Sequence, residues 1–367
     1  MIRKISPYAL GATLYMPALH PDIGEVIAGR KIGGVSSIVL CLEDALGEND
    51  VEAGLNNLRT VLDVMAEEPR EPGQRPLVFV RPRNLAMAGV MGDWKGIDLV
   101  DGFVAPKVRP GNVAAWMESL AGTDLLLMPT LETAEMLDPV AVREFRDELL
   151  ANQPERVLAL RIGGNDLMSC MGLRRTRGAT LYEGPMLYAI SMLVSLLAPA
   201  GFSLTSPVCE IIDDVDLLAR ELEGDLRFGL VGKTAIHPSQ VDPIQAAFRV
   251  TPRDHAVATR ILAEDAPAVF KQDGVMQEPA THLAWARKTM ERAAEYGIAG
   301  PWEPEPDTPD VLAEPIRVHG ITVPPGTRLD EVRETVAEAA RDTVAGPLSG
   351  WRRQLYLAAR NLALRGG

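Results

Sequence analysis

The run Ser36–Leu42, SSIVLCL, is apolar at almost every position and ends in the acidic pair Glu43-Asp44. A strand with one wet face alternates apolar and polar residues. A run without alternation belongs to a strand covered on both faces, as in a parallel sheet flanked by helices. The same pattern recurs outward from this run. Upstream lies Ala12–Met16 (ATLYM); downstream lie Leu77–Arg81 (LVFVR), Gly102–Ala105 (GFVA) and Leu125–Thr130 (LLLMPT). Val157–Ile162 (VLALRI), Phe202–Thr205 (FSLT) and Phe228–Val231 (FGLV) complete the series. Helical periodicity fills the intervals at Ala53–Met65, Val113–Leu120, Thr133–Leu150, Met186–Leu197 and Val215–Leu222. Eight such units before residue 235 predict an α/β fold, a (β/α)8 TIM barrel, with a doubly wound open sheet as the competing arrangement.

The remaining chain divides by composition. Residues 1–250 make the barrel, and 251–300 a C-terminal helical lid built from Arg253–Phe270 and Thr281–Tyr296, with a loop over Lys271–Ala280. Residues 301–315 (PWEPEPDTPDVLAEP) hold five prolines and five acids, a stiff solvated linker. Residues 316–367 form a small extra C-terminal segment: a short strand over Ile316–Val323, a helix over Leu329–Val344, and a final helical stretch Trp351–Arg365. That last stretch has four arginines and no acid, and is read as a helix docked on the protein's own barrel.

Charge and cysteine content narrow the function classes. Fifty acids against thirty-seven bases give a net charge of −13 over 367 residues, which argues against nucleic-acid and anionic-membrane partners. Cys41, Cys170 and Cys209 are too few and too far apart for a disulfide framework or a zinc ribbon, so a cytoplasmic location is expected. The longest apolar stretch, Pro185–Ala200, is too short to span a bilayer. Gly229–Thr234 (GLVGKT) imitates the end of a phosphate-binding loop, but Arg227 stands where that motif needs its first glycine.

Barrel chemistry sits where strands end. Read that way, polar groups converge on one rim: Glu43-Asp44, then Arg81 with Arg83 and Asn84, then Lys107 and Glu132. Gly163-Gly164-Asn165-Asp166, Ser206 with Glu210, and Lys233 with His237 follow at the last three strands. Glu132 and Asp166 form a candidate metal pair suited to Mg²⁺, which takes one or two carboxylates and completes its octahedron with water and substrate. Taken alone, each acid is explained better by a helix-terminal role, Glu132 as an acid at a helix N-terminus and Asp166 as an N-cap; their placement at adjacent strand ends favours the metal. Arg81 leaves an apolar strand at the rim and is the candidate for binding a substrate carboxylate, or for an ion pair with Glu43 or Asp44. Glu43 and Lys107 are further substrate-binding candidates. His237, before Pro238, is expected to hold the eighth loop.

Collinear segments from about residue 8 to 296 resemble the citrate lyase β-subunit-like family of the HpcH/HpaI aldolase group. They include YMPA at 15–18, VLCLEDAL at 39–46, VFVRPRN at 78–84 and APKV at 105–108. LET at 131–133, IGGNDL at 162–167, GKTAIHPSQV at 232–241 and GVMQEPA at 274–280 continue the series. The resemblance implies a TIM barrel that makes or breaks a carbon–carbon bond in oxo-acids or acyl thioesters. It implies that Glu132 and Asp166 bind magnesium, that Arg81 binds substrate, and that Asp44 organises the metal's water shell. It also implies that Glu278 is a lid acid reaching a neighbouring subunit of a homotrimer. Cys41, Pro82-Arg83, Ser206 and Glu278 itself depart from the family pattern.

The expected function is Mg²⁺-dependent retro-aldol or retro-Claisen cleavage of a small acidic hydroxy- or oxo-acid, or of its acyl-CoA-type thioester, with Glu278 as the base. A malate-synthase-like condensation and a non-catalytic ligand-binding scaffold are the alternatives.

Overall fold

Parallel pairing buries both faces of each apolar run, and the runs assemble in chain order. The computed structural model describes residues 4–67, 76–300, 312, 314–344, 348 and 350–364. The chain divides into two compact units: Met1–Ala268 with Pro279–Gly300, and Val269–Glu278 with Pro301–Gly367.

In the first unit the strands are β1 (Gly11–Pro17), β2 (Ser37–Cys41), β3 (Leu77–Arg81), β4 (Gly102–Ala105), β5 (Leu126–Leu131), β6 (Leu160–Ile162), β7 (Leu204–Thr205) and β8 (Gly232–Ala235). They lie in the order β7-β6-β5-β4-β3-β2-β1-β8, all parallel. A bridge between Ser206 and Lys233 joins the two ends of that order and closes the ring. This is the (β/α)8 barrel.

Outside it run α1 (Ile23–Ile27), α2 (Val51–Glu67), α3 (Leu85–Gly92), α4 (Val113–Glu118), α5 (Pro139–Ala151), α6 (Gly164–Cys170), α7 (Met186–Leu197), α8 (Val215–Arg227) and α9 (Val241–Ala247). Then come α10 (Pro252–Leu262) and α11 (Pro279–Tyr296), which pack on each other; Tyr296 of α11 donates its hydroxyl to the Val231 carbonyl at 3.0 Å. Among the described residues no helix is long and apolar enough to cross a membrane.

Strand parity separates two buried layers. Ile38 and Leu40 of β2, Val78 and Val80 of β3, and Leu127 of β5 face the helices in one large core. Val39, Leu77, Phe79, Val104, Leu126 and Met128 fill the barrel interior. The same parity turns Cys41, Arg81, Thr130 and Arg161 inward, above that plug.

Several boundaries differ from expectation. The eighth strand is not Phe228–Val231 but Gly232–Ala235, because α8 runs on through Arg227. The amides of Phe228, Gly229 and Leu230 are spent on the α8 carbonyls of Gly224, Leu226 and Asp225, with Gly229 turning at φ +68°. The expected helix Thr133–Leu150 breaks at Asp138, whose side chain caps α5 ahead of Pro139. The expected helix Arg253–Phe270 stops at Leu262, and the expected loop 271–280 instead holds an antiparallel hairpin, β9 (Phe270–Gln272) and β10 (Val275–Gln277). Its turn is Asp273-Gly274, both left-handed at φ 50° and 75°.

That hairpin belongs to the second unit. There, the predicted strand Ile316–Val323 is also a hairpin, β11 (Ile316–Val318) and β12 (Ile321–Val323), turning at His319-Gly320. Helices α12 (Leu329–Arg341) and α13 (Gly350–Ala363) pack on each other, and Val323, Val332 and Leu355 form a small core. The arginine-bearing final helix therefore buries its apolar face within this unit. Of the proposed linker 301–315, all but Leu312, Glu314 and Pro315 lies outside the described residues.

Candidate active site

Arg81 is the last residue of β3 and faces the interior, 7% exposed. Its guanidinium meets three carboxylates: Glu43 Oε2 at 2.8 Å, Asp44 Oδ2 at 3.2 Å and Glu132 Oε2 at 3.1 Å. Both the predicted ion pairs and a third thus form on one cation. Its Nε has no partner.

Glu132 follows β5 directly. Its carboxylate also accepts the Lys107 amide at 2.7 Å, an approach made possible by the left-handed backbone of Lys107 at φ 52°. The Lys107 ammonium turns to Glu43 Oε1 at 2.9 Å. Five of the sequence-predicted residues therefore form one continuous cluster across the ends of β2, β3, β4 and β5.

Asp166 enters from the next unit, in the first turn of α6. The helix begins at Gly163 without a side-chain cap, so Asp166 does not serve as the N-cap. Gly163 is needed for closeness: a Cβ there would lie 2.4 Å from Glu132 Cβ. Asp44, Arg81, Glu132 and Asp166 line one cavity of about 240 Å³.

The carboxylates in it are electrostatically burdened. Burial pushes Glu132 up to about 7, with Arg81 pulling it down and Asp166 pushing it further up. Burial and the nearby Asp44 raise Asp166. Glu43 is raised by burial and its hydrogen bond with Asp44, while for Asp44 burial is outweighed by that bond and by Arg81, leaving it below the usual range. Lys107 is raised by its bond to Glu43. Glu132 and Asp166 thus both stand above the usual carboxylate range beside one cavity.

The family model for carbon–carbon bond lyases of the TIM-barrel fold matches residues 4–298. The chain belongs to this family. It is an enzyme of the carbon–carbon lyase class, as the resemblance implied. The (3S)-malyl-CoA thioesterase of Cereibacter sphaeroides (strain KD131 / KCTC 12085) is 27% identical over 299 residues, spanning 77% of this chain and 94% of the relative. CitE from Mycobacterium tuberculosis, in complex with magnesium, acetoacetate and coenzyme A, is 25% identical with a TM-score of 0.57, covering 78% of this chain and all of that one (100%). RipC from Yersinia pestis shares the fold at 20% identity and a TM-score of 0.51, over 67% of this chain and 98% of its own.

Against this lyase frame, several rim residues read differently. Lys233 does not reach the rim: it lies inside β8, 0% exposed, on the helix-facing side, and pairs with Glu221 and Asp225 of α8. The misplaced eighth strand hid this, because moving the strand by four residues moves Lys233 from its end to its middle. Ser206 is also structural: its amide and its hydroxyl both donate to the Gly232 carbonyl, at 2.8 and 3.0 Å, joining β7 to β8. Arg83 turns away to the Leu46 carbonyl and Glu48. His237 accepts from the Ser239 amide and holds the eighth loop as expected. Glu278 follows β10 in the second unit and is not among the residues lining the cavity.

Sequence reasoning missed Tyr15, Thr130, Arg161 and Thr234, which line the cavity beneath the acids. A signal existed: Arg161 stands inside an apolar strand, two residues before Gly163, with the parity of an inward residue.

Proposed function

We propose that this lyase cleaves a carbon–carbon bond beside a carbonyl in a small acidic hydroxy- or oxo-acid, free or as a thioester, with Mg²⁺ held by Glu132 and Asp166. The observation that carries the proposal is the joint one: the buried Glu132 and the half-buried Asp166, both pushed up by burial and by neighbouring acids, line one small cavity with an arginine. Such a donor set suits magnesium, which needs only one or two protein carboxylates. The magnesium, acetoacetate and coenzyme A bound by the related CitE support the same reading. A divalent ion there would supply Lewis acidity toward substrate oxygens.

The chain's own residues do the rest. Arg81, fixed by Glu43, Asp44 and Glu132, presents a rigid positive edge where enolate charge develops, and its burial strengthens that field. Lys107 neutralises Glu43, so that Arg81 is not drawn out of place. As base we assign Glu278, on the family resemblance, which puts this acid at a neighbouring subunit's site in a homotrimer. Light scattering tests the trimer, and Glu278→Gln should lower kcat with little change in KM.

Thioester hydrolysis is the second reading, favoured by the relative named as a malyl-CoA thioesterase. Products separate the two: cleavage of a malyl thioester releases glyoxylate and an acetyl thioester, and hydrolysis releases malate and a free thiol. Glu132→Gln and Asp166→Asn should each lower Mg²⁺-dependent turnover about 100-fold or more. Wild-type rates in either variant would overturn the site.

A further inference from the structure

We infer that Arg161 is the receptor for a second anionic group on the substrate, so that the enzyme acts on a small dianionic acid. The inference rests on the cavity being the substrate site, and it concerns a residue outside the metal-binding acids.

Arg161 is 2% exposed, at the inward position of β6, and lines the cavity. Its neighbours are all neutral. Nη1 lies 3.4 Å from Thr13 Oγ1 and 4.0 Å from Met128 Sδ, Nη2 lies 2.5 Å from Thr234 Oγ1, and the guanidinium carbon is 5.3 Å from the Tyr15 ring centre. It makes no ion pair among the described residues. The other buried cations of this barrel are all paired: Arg81 with three acids, Arg175 with Glu221, Lys233 with Glu221 and Asp225.

A buried charge without a counter-charge is costly and persists where something charged completes it. Arg81 already shares its charge with three protein carboxylates, so the cation of this cavity left without a counter-charge is Arg161.

The residues beside Arg161 carry the same demand. Thr130 of β5 and Thr205 of β7 are its register partners on either side. Both are buried, and both hydroxyls lack any partner. Two hydroxyls without a partner thus flank a guanidinium that donates only to neutral groups, the arrangement an oxyanion satisfies. A cavity of about 240 Å³ admits only a compact molecule at this depth. One end of the substrate then meets Arg81 and the acids, and a carboxylate or phosphate at the other end meets Arg161.

The test compares binding of lactate, malate and 3-phosphoglycerate by calorimetry, without Mg²⁺ and again with it. Lactate and malate differ by one carboxylate. We expect malate to bind about tenfold or more tightly than lactate, the usual weight of a charge-assisted contact. In Arg161→Gln the malate-to-lactate ratio should fall to near one, and in Arg161→Lys to an intermediate value. Tighter binding of 3-phosphoglycerate than of malate identifies the group as phosphate; the reverse order identifies it as carboxylate.

Equal binding of malate and lactate to the wild type overturns the inference, as does a ratio that Arg161→Gln leaves unchanged. Arg161→Gln removes a buried charge and should melt no lower than the wild type; if it fails to fold, Arg161→Lys reads the ratio. Failure of the metal reading shows separately, as Mg²⁺ dependence left unchanged in Glu132→Gln, because the anion ratio is measured in metal-free protein.

Discussion

Behind β8, the Lys233 ammonium sits 3.0 Å from both Glu221 and Asp225, Glu221 also grips Arg175, and the Tyr182 hydroxyl donates to Asp225 at 2.6 Å. In front, inside the barrel, Arg81 is shared by Glu43, Asp44 and Glu132 while Arg161 has no acid at all. Both groups are built around buried cations, one outside the barrel and one inside it, and they are built to opposite ends. The rear group has two cations for two acids, and apart from Arg175 Nε its groups are satisfied by one another. The front group keeps raised acids, idle donors and an unpaired cation, all beside open volume. A cluster that neutralises itself holds a fold together; one that leaves complementary demand is shaped for something that enters. The two also touch functionally, since Arg175 holds the carbonyl of Val208, which lines the cavity.

Removing one partner from the rear group should have the largest effect. Lys233→Met strands Asp225 without its cation and leaves Glu221 with Arg175 alone, at an expected cost of about 3–5 kcal/mol. Urea unfolding measures it, and a loss below about 1 kcal/mol would show that the network is not a structural unit.

The front group should behave in the contrary sense. Burial holds Glu132 at about 7, above its ordinary 4.5, so the folded metal-free protein binds a proton that the unfolded chain releases. That stabilisation is complete below pH 4.5 and is lost as pH rises through about 7. Metal-free protein should therefore lose about 1–3 kcal/mol over this interval, and Glu132→Gln should abolish that part of the slope. Denaturation in EDTA at pH 5 and pH 7.5 checks it; an identical slope in the variant would place the proton elsewhere.

Gly163→Ala sharpens the contrast by crowding rather than by charge. Its new Cβ would fall 2.4 Å from Glu132 Cβ, so that acid must shift. We expect a destabilisation of about 1–3 kcal/mol together with weaker Mg²⁺ binding by titration. The smallest effect belongs to a pair that is neither sealed nor facing a cavity. Arg177 and Asp213, 3.3 Å apart and 77% and 71% exposed, should contribute too little for Arg177→Ala to move stability by more than about 0.5 kcal/mol.

Much of the front group was legible in the sequence, because a barrel strand prints its end as an apolar run followed by a charge. Glu43, Asp44, Arg81, Lys107, Glu132 and Asp166 all stood out on that pattern. Lys233 was misjudged because the run just after α8, Phe228 to Val231, is as apolar as a strand, and nothing local says that its first three amides are spent on α8. Arg161 was passed over for the opposite reason: it lies within the strand, where the pattern of strand ends does not look.

The sequence by itself determined the number and order of the strand-and-helix units, because burial on both faces requires continuous apolar runs and period-two geometry follows from them; that they close into a barrel and not an open sheet came from the structure. The sequence also determined which residue types stand at the rim. Only the tertiary structure decided which charges share a wall and which face they take. Closing the ring through Ser206 and Gly232 sets the inward parity of Thr234 and the outward parity of Lys233. Partnerships such as Arg161 with Thr234 or Lys233 with Glu221 follow from that closure, across separations that no local pattern records.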